Sequence, residues 1–317
     1  MRKIIGIGET ILDLIFQDNQ PQRAVPGGST FNAMISLARC GLPALFVSEL
    51  GNDHVGAIIR DFMCANGLSA DYVDFYDEGK SPIALAFLDT NSQATYSFYR
   101  QFPDTRLSVA FPPVKADDVI LFGSYFAVNQ EIRSKIHRWL DEAHSAEAVI
   151  YYDINFRAAH ADERAELMPA FEENFECATV VRCSDEDLAV LYPNQSIDEI
   201  YRTHIAPRCK NLIVTQGAKE TRLFTLNWEK SYPVQSIKPI STIGAGDNFN
   251  AGFIYALMQQ GITKSDLENL PEQKWNKLLE SAHKFAAEVC QSMENYIFRN
   301  NLLPLHPLLK YIRVMGD

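Results

Sequence analysis

What this chain lacks narrows its class first. Its six cysteines (Cys40, Cys64, Cys177, Cys183, Cys209 and Cys290) never stand at CxxC spacing, nor with histidines at a zinc-ligand interval. Neither a disulfide framework nor a structural zinc site is expected, and the thiols read as buried groups in a reducing compartment. No apolar stretch approaches the roughly 18 residues of a membrane span. The N-terminal MRKIIGIGET holds only about four apolar residues before a glycine and an acid, too few for a signal-peptide h-region. A cytoplasmic location is the expectation. Positive charge is scarce as well: 29 Lys and Arg against 40 Asp and Glu leave a net charge of −11, with no long basic run. Nucleic acid and anionic membrane are therefore poor partners, and any anionic ligand must be held locally. The first apolar run ends in Gly6-Ile7-Gly8, but Ile11 stands where GxGxxG needs its third glycine, which excludes the dinucleotide fingerprint. His54, His160 and His283 have no companions at ligand or triad spacing and read as structural.

What is present is an α/β rhythm. Apolar runs at 3–8, 44–50, 118–124, 148–154, 178–182 and 211–215 are mostly continuous rather than alternating, with helical patterns between them. That is the pattern of a parallel sheet covered on both faces. After Gly27-Gly28-Ser29-Thr30, residues Phe31, Met34, Ile35 and Ala38 followed by Gly41 predict a capped amphipathic helix. Val55, Ile58, Ile59 and Phe62 ahead of Gly67 predict another over 55–66. Residues 83–89 and 94–100 break the rhythm: they predict a hairpin through Thr90-Asn91-Ser92-Gln93, with no helix to make a βαβ unit. It reads as a small β lid off the main sheet, together with the polar stretch before Gly27, although the pattern alone also allows an antiparallel edge on that sheet.

The densest chemistry lies in Ser241-Thr242-Ile243-Gly244-Ala245-Gly246-Asp247. Two glycines around one alanine let backbone N–H groups converge on a point, and the segment that follows reads as a helix whose positive end faces it. Such a nest binds phosphate. A carboxylate beside a polyanion is repelled by it unless a proton transfer needs it there, so Asp247 reads as a general base toward an attacking hydroxyl. The plainer alternative is a tight turn with Asp247 as helix cap. Phe249, Phe253, Ile254 and Leu257 on one face, with Gly261 at the end, put the motif at a loop-to-helix junction.

In this order the motifs resemble the PfkB (ribokinase-like) family of carbohydrate kinases over nearly the whole chain. The residues carrying the likeness are GETILDLIF near the start, PGGSTFNAMISLARCG, LGNDHVG at 50–56, DINFR at 153–157, VTQGAKE at 214–220 and STIGAGDNFNAG at 241–252. AFLDTNSQATYSFYR is similar to lid strands of the fructokinase and 2-keto-3-deoxygluconate kinase branches. The resemblance implies a single three-layer α/β/α ribokinase-like domain over 1–317, with a mostly parallel sheet and lid strands at about 13–27 and 81–102. It implies ATP-dependent phosphorylation of a sugar, a homodimer formed through the lid, and a cytoplasmic enzyme using Mg2+.

Carried over by position, Asp247 is the base and Gly244, Ala245 and Gly246 the anion hole. Asp13, Gly27, Gly28, Asn32, Phe98, Arg100 and Arg157 border the sugar, with Tyr99 beside them. Asn155, Ser184, Thr215, Gly217, Thr242, Gly244 and Gly246 border the nucleotide, and Asp187 faces the metal through water. Read from the residues alone, Asp13 is also a turn former, Asn32 a first-turn helix residue, and Arg100 and Arg157 surface ion-pair residues.

Three positions depart from the family pattern. Ser241 replaces an aspartate tied to a monovalent cation, which puts potassium activation in question; Ser184-Asp185-Glu186-Asp187 replaces NxxE; and Asp153-Ile154-Asn155 replaces DPN. Fructose, phosphorylated at its terminal hydroxyl, is the expected substrate on the likeness of GETILDLIF and AFLDTNSQATYSFYR, with 2-keto-3-deoxygluconate as the alternative that two convergent arginines would serve. A sugar- or nucleotide-binding regulatory protein that turns over poorly is the reading from another class, motivated by Ser184, Asp187 and Ser241.

Overall fold

A computed structural model describes residues 2–88 and 94–298 of the chain. The expected turn Thr90-Asn91-Ser92-Gln93 lies outside the described residues. In chain order the strands are β1 (Ile4–Ile7), β2 (Ile11–Gln17), β3 (Gln20–Gly27), β4 (Ala44–Gly51), β5 (Val73–Tyr76), β6 (Lys80–Leu88), β7 (Ala94–Gln101), β8 (Val119–Gly123), β9 (Val149–Asp153), β10 (Val180–Ser184), β11 (Leu212–Thr215), β12 (Glu220–Phe224) and β13 (Glu229–Pro233). Nine of them form one sheet in the order β13-β12-β11-β10-β9-β8-β1-β4-β5. All neighbours in it from β11 to β5 run parallel, and only β12 and β13 are antiparallel.

Continuous apolar strands exist here because both faces are covered, and the period of two sorts their residues into two cores. Ile4, Leu121, Tyr151, Val180 and Ile213 pack with the helices Ser29–Arg39, Ala245–Gln259 and Glu272–Cys290. Ile5, Ile120, Phe122, Ile150, Tyr152, Val181 and Val214 pack on the other side with Gln130–Ser145 and Arg164–Cys177. This is the three-layer α/β/α architecture that the periodicity and the family resemblance imply. Among the described residues, no helix is long and apolar enough to cross a membrane.

A separate four-stranded sheet, in the order β3-β2-β6-β7, resolves the alternative left open above: the β6–β7 pair is off the main sheet. The antiparallel edge of the main sheet is β12–β13 instead, which no expectation covered. One smaller expectation is corrected. The helix Ser29–Arg39 has no side-chain cap, because its N-cap residue is Gly28, which has no side chain; the Ser29 hydroxyl, one residue inside, donates to Asp247. Gly28 has φ +132°, and a Cβ there would lie 2.3 Å from the carbonyl oxygen of Glu9, so only glycine fits.

Candidate active site

Parallel strands share a direction, so the chain leaves β1, β8, β9, β10 and β11 at one edge, after Ile7, Gly123, Asp153, Ser184 and Thr215. The order reverses beside β1, where the next strands lie on opposite sides: β4 on one and β8 on the other. A crevice at such a switch point is where open α/β sheets bind ligands. The start of helix Ala245–Gln259 supplies one of its walls.

Asp247 lies in the first turn of that helix, whose N-cap is Gly244 in the left-handed conformation (φ 78°), with no side-chain cap. Its carboxylate therefore does not cap. Ser29 Oγ donates to Asp247 Oδ1 at 2.8 Å, and Asn32 Nδ2 donates to Oδ2 at 2.8 Å. Burial pushes the Asp247 carboxyl up to about 6; the two hydrogen bonds oppose that rise and the charge of Asp153 adds to it. A carboxylate so held can accept a proton near neutral pH. The buried Asn32 Oδ1 has no hydrogen-bond partner among the described residues. Of the expected anion-hole donors, Ala245 N–H turns back onto the carbonyl of Thr242 at 3.2 Å.

A buried guanidinium lies beneath the glycine loop. A Cβ on Gly246 would sit 3.1 Å from Arg182 Nη2 and 3.2 Å from Nη1. Arg182 Nη1 donates to Asp153 Oδ1 at 3.0 Å and Nη2 to Thr215 Oγ1 at 2.7 Å, while Asn250 Nδ2 donates to Asp153 Oδ2 at 2.7 Å. Neighbouring negative charge, Asp153 above all, outweighs burial and raises the guanidinium further above its ordinary range. Sequence reasoning missed Arg182 and Ser29. An arginine inside the apolar strand β10 was the available signal for the first; nothing local marked the second.

The other expected nucleotide-side residues are distributed along the same edge. Ser184 and Asp187 form a reciprocal capping box, in which Asp187 Oδ2 accepts from Ser184 N at 2.7 Å and Ser184 Oγ from Asp187 N at 3.1 Å. Asp187 Oδ1 is buried without a partner among the described residues, and burial raises this carboxyl. Among those residues no group of three His, Cys, Asp or Glu side chains is arranged to hold a metal ion. Asn155 follows β9 with φ 39°, and Gly217 and Thr242 are exposed. Ser241 Oγ accepts from Ile243 N at 3.2 Å, within its own turn.

Asp13 lies on β2 in the small sheet, opposite Val25 of β3 and Ala84 of β6. Burial, then the charge of Glu9, pushes its carboxyl up to about 7. A Cβ on Gly27 would lie 2.7 Å from its Oδ2, so the glycine makes room for this side chain. Arg100 on β7 is engaged: Nε meets Glu9 Oε1 at 2.8 Å and Nη2 donates to Oε2 at 3.0 Å. Its guanidinium also lies 4.7 Å from the Phe98 ring centroid, and Phe98 stacks on Tyr96 at 5.8 Å. Tyr96, Phe98 and Tyr99 are all exposed on β7. Arg157 is exposed and its side chain makes no hydrogen bond or ion pair among the described residues; its charge acts on both Asp247 and Tyr96. The two arginines expected to converge are thus in different states. Glu9 is a further site residue that sequence reasoning passed over.

Comparison with known proteins gives the family and the fold. The family model described as pfkB family carbohydrate kinase matches residues 1–298. A fructokinase of Rhizobium leguminosarum bv. trifolii is 27% identical over 279 residues, covering 85% of this chain and 84% of that protein. The crystal structure of a fructokinase with bound ATP from Xylella fastidiosa superposes with a TM-score of 0.80 at 21% identity, covering 93% of this chain and 94% of the other. A double mutant of the Vibrio cholerae O395 fructokinase, bound to fructose, ADP and a potassium ion, gives 0.77 at 22% identity, with 93% and 94% covered.

Proposed function

This chain belongs to the pfkB family of carbohydrate kinases, and from that premise we propose that it transfers the γ-phosphoryl group of ATP to the terminal hydroxyl of fructose. The observation that carries the kinase chemistry is Asp247, held by Ser29 and Asn32 rather than by its own helix, one residue after a glycine loop. In this reading Asp247 takes the proton of the attacking hydroxyl. Amides at the helix N-terminus, with Arg182 beneath Gly246, stabilise charge growing on the transferring phosphoryl group. Asp13 accepts hydrogen bonds from the sugar, and the unpartnered Asn32 Oδ1 takes another. Asp187 Oδ1 is the orphaned carboxylate oxygen that fits a divalent ion through water, and such an ion would neutralise phosphate charge.

Fructose is favoured because the relatives matched over most of their length are fructokinases, and because Arg100 already has a carboxylate partner. The acidic alternative, 2-keto-3-deoxygluconate, is favoured only by the unengaged Arg157. The expected result is a higher kcat/KM for fructose than for 2-keto-3-deoxygluconate in a coupled ADP-release assay. The reverse order would overturn the fructose assignment and leave the family intact.

Potassium is expected to stimulate the enzyme weakly or not at all. Ser241 brings no charge, and its oxygen is engaged by Ile243 N–H. Strong, saturable activation by potassium over sodium at equal ionic strength would contradict this.

A further inference from the structure

We propose that Glu9 is a specificity-determining residue: by holding Arg100 in a two-point ion pair, it denies that guanidinium to a substrate carboxylate and restricts the pocket to uncharged sugars. The proposal rests on the reading above, in which the sugar lies between Asp13, β7 and Asp247.

The pairing is bidentate, with contacts of 2.8 and 3.0 Å, and a guanidinium fork engaged by one carboxylate has little left for a second. Both side chains remain partly accessible, at 31% and 25%, so the pair borders open space and is not locked in the core. Glu9 itself is well placed to stay. It follows β1 at the switch point, and its carbonyl oxygen lies close against Gly28. Burial raises its carboxyl, and the charge and hydrogen bond of Arg100, with the charges of Arg106 and His160, oppose that rise, so the ion pair is what keeps Glu9 charged. A substrate carboxylate reaching Arg100 would have to displace Glu9, leaving a carboxylate without its main cation. Glu9 already raises Asp13, so the wall holds negative charge that an acidic sugar would increase. A neutral polyol meets neither obstacle, and its hydroxyls can donate to Asp13.

The test compares kcat/KM for fructose and 2-keto-3-deoxygluconate in wild type, Glu9→Gln, Arg100→Ala and the double variant, at one fixed ionic strength. Glu9→Gln is expected to raise the acid-to-fructose ratio by about tenfold or more, the change that roughly 1.4 kcal/mol produces. The gain should vanish when Arg100→Ala is added, since the two side chains act as one unit. Arg100→Ala alone should leave the ratio within about threefold of wild type. An unchanged ratio in a folded Glu9→Gln protein would reduce Glu9 to a loop anchor. Should that variant not fold, Arg100→Ala decides: a large fall in the ratio means that Arg100 already serves the substrate, and the proposal is wrong. A wild type that prefers the acid overturns this proposal and the fructose assignment together. A wild type that prefers another neutral sugar overturns only the assignment, and the ratio is then measured with that sugar against its acid.

Discussion

Asp247→Asn is expected to leave the protein folded and to lower kcat by about 10² to 10⁴, the usual loss with a general base. The substitution keeps the shape that Ser29 and Asn32 grip and removes the basicity. The same geometry sets the pH dependence. The base must be ionised to accept a proton, so wild-type kcat/KM should fall as pH drops through about 6, the value to which burial pushes this carboxyl. Stability moves the other way at this group. Its folded value is raised, so between about 6 and the ordinary carboxylate value near 4 the folded state holds a proton that the unfolded chain has released. Lowering the pH through that window therefore stabilises wild type at Asp247 and does nothing there in the amide variant. Thermal melts at pH 7 should accordingly show Asp247→Asn no less stable than wild type. Turnover within a few-fold of wild type would remove Asp247 from the mechanism.

Arg182→Met is expected to destabilise the fold by about 3–5 kcal/mol, the cost of breaking a buried ion pair from one side. Methionine fills much of the volume but leaves the buried Asp153 carboxylate with Asn250 alone as its hydrogen-bond partner among the described residues and removes the donor to Thr215 Oγ1. The charge of Asp153 already acts on Asp247 in the direction of a higher pKa, and in the variant it acts without its compensating guanidinium. The residual activity of the variant should therefore show its acid limb at higher pH than wild type. Arg182→Lys keeps the charge without the planar fork and should recover part of both effects. Urea unfolding read by fluorescence and circular dichroism together checks the first claim. A midpoint equal to that of wild type would mean that the pair contributes nothing net and that Arg182 is not the support of the glycine loop.

The architecture was legible because it depends on near neighbours in sequence. Continuous apolar runs such as VILFG and VIYYD are stable only between two covering layers, and their spacing with helical patterns between them leads to a parallel sheet. The glycine spacing of STIGAGDNFNAG likewise marks a loop-to-helix junction without reference to anything distant. The small sheet was harder: the runs of β6 and β7 read as a hairpin, but whether they join the main sheet depends on β2, which belongs to a different part of the chain.

Composition and local pattern by themselves determined the fold class and the place of the glycine loop ahead of a helix, because backbone conformation and amphipathic periodicity are local properties; the family likeness was carried by the motifs in their order along the chain. The partners of the charged groups were decided only in three dimensions. Asp247 could cap its helix or turn away from it, and its carboxylate is held away by Ser29 and Asn32, more than 200 positions distant in sequence. Arg100 could be free for an acidic sugar or already engaged, and Glu9, 91 positions earlier, engages it. Arg182 carries no motif, yet β10 delivers it beneath Gly246 and beside Asp153. Hydrogen bonds and ion pairs act over a few ångströms of space regardless of sequence separation, so the identity of a charged residue does not say what it will face once the strands converge on one edge.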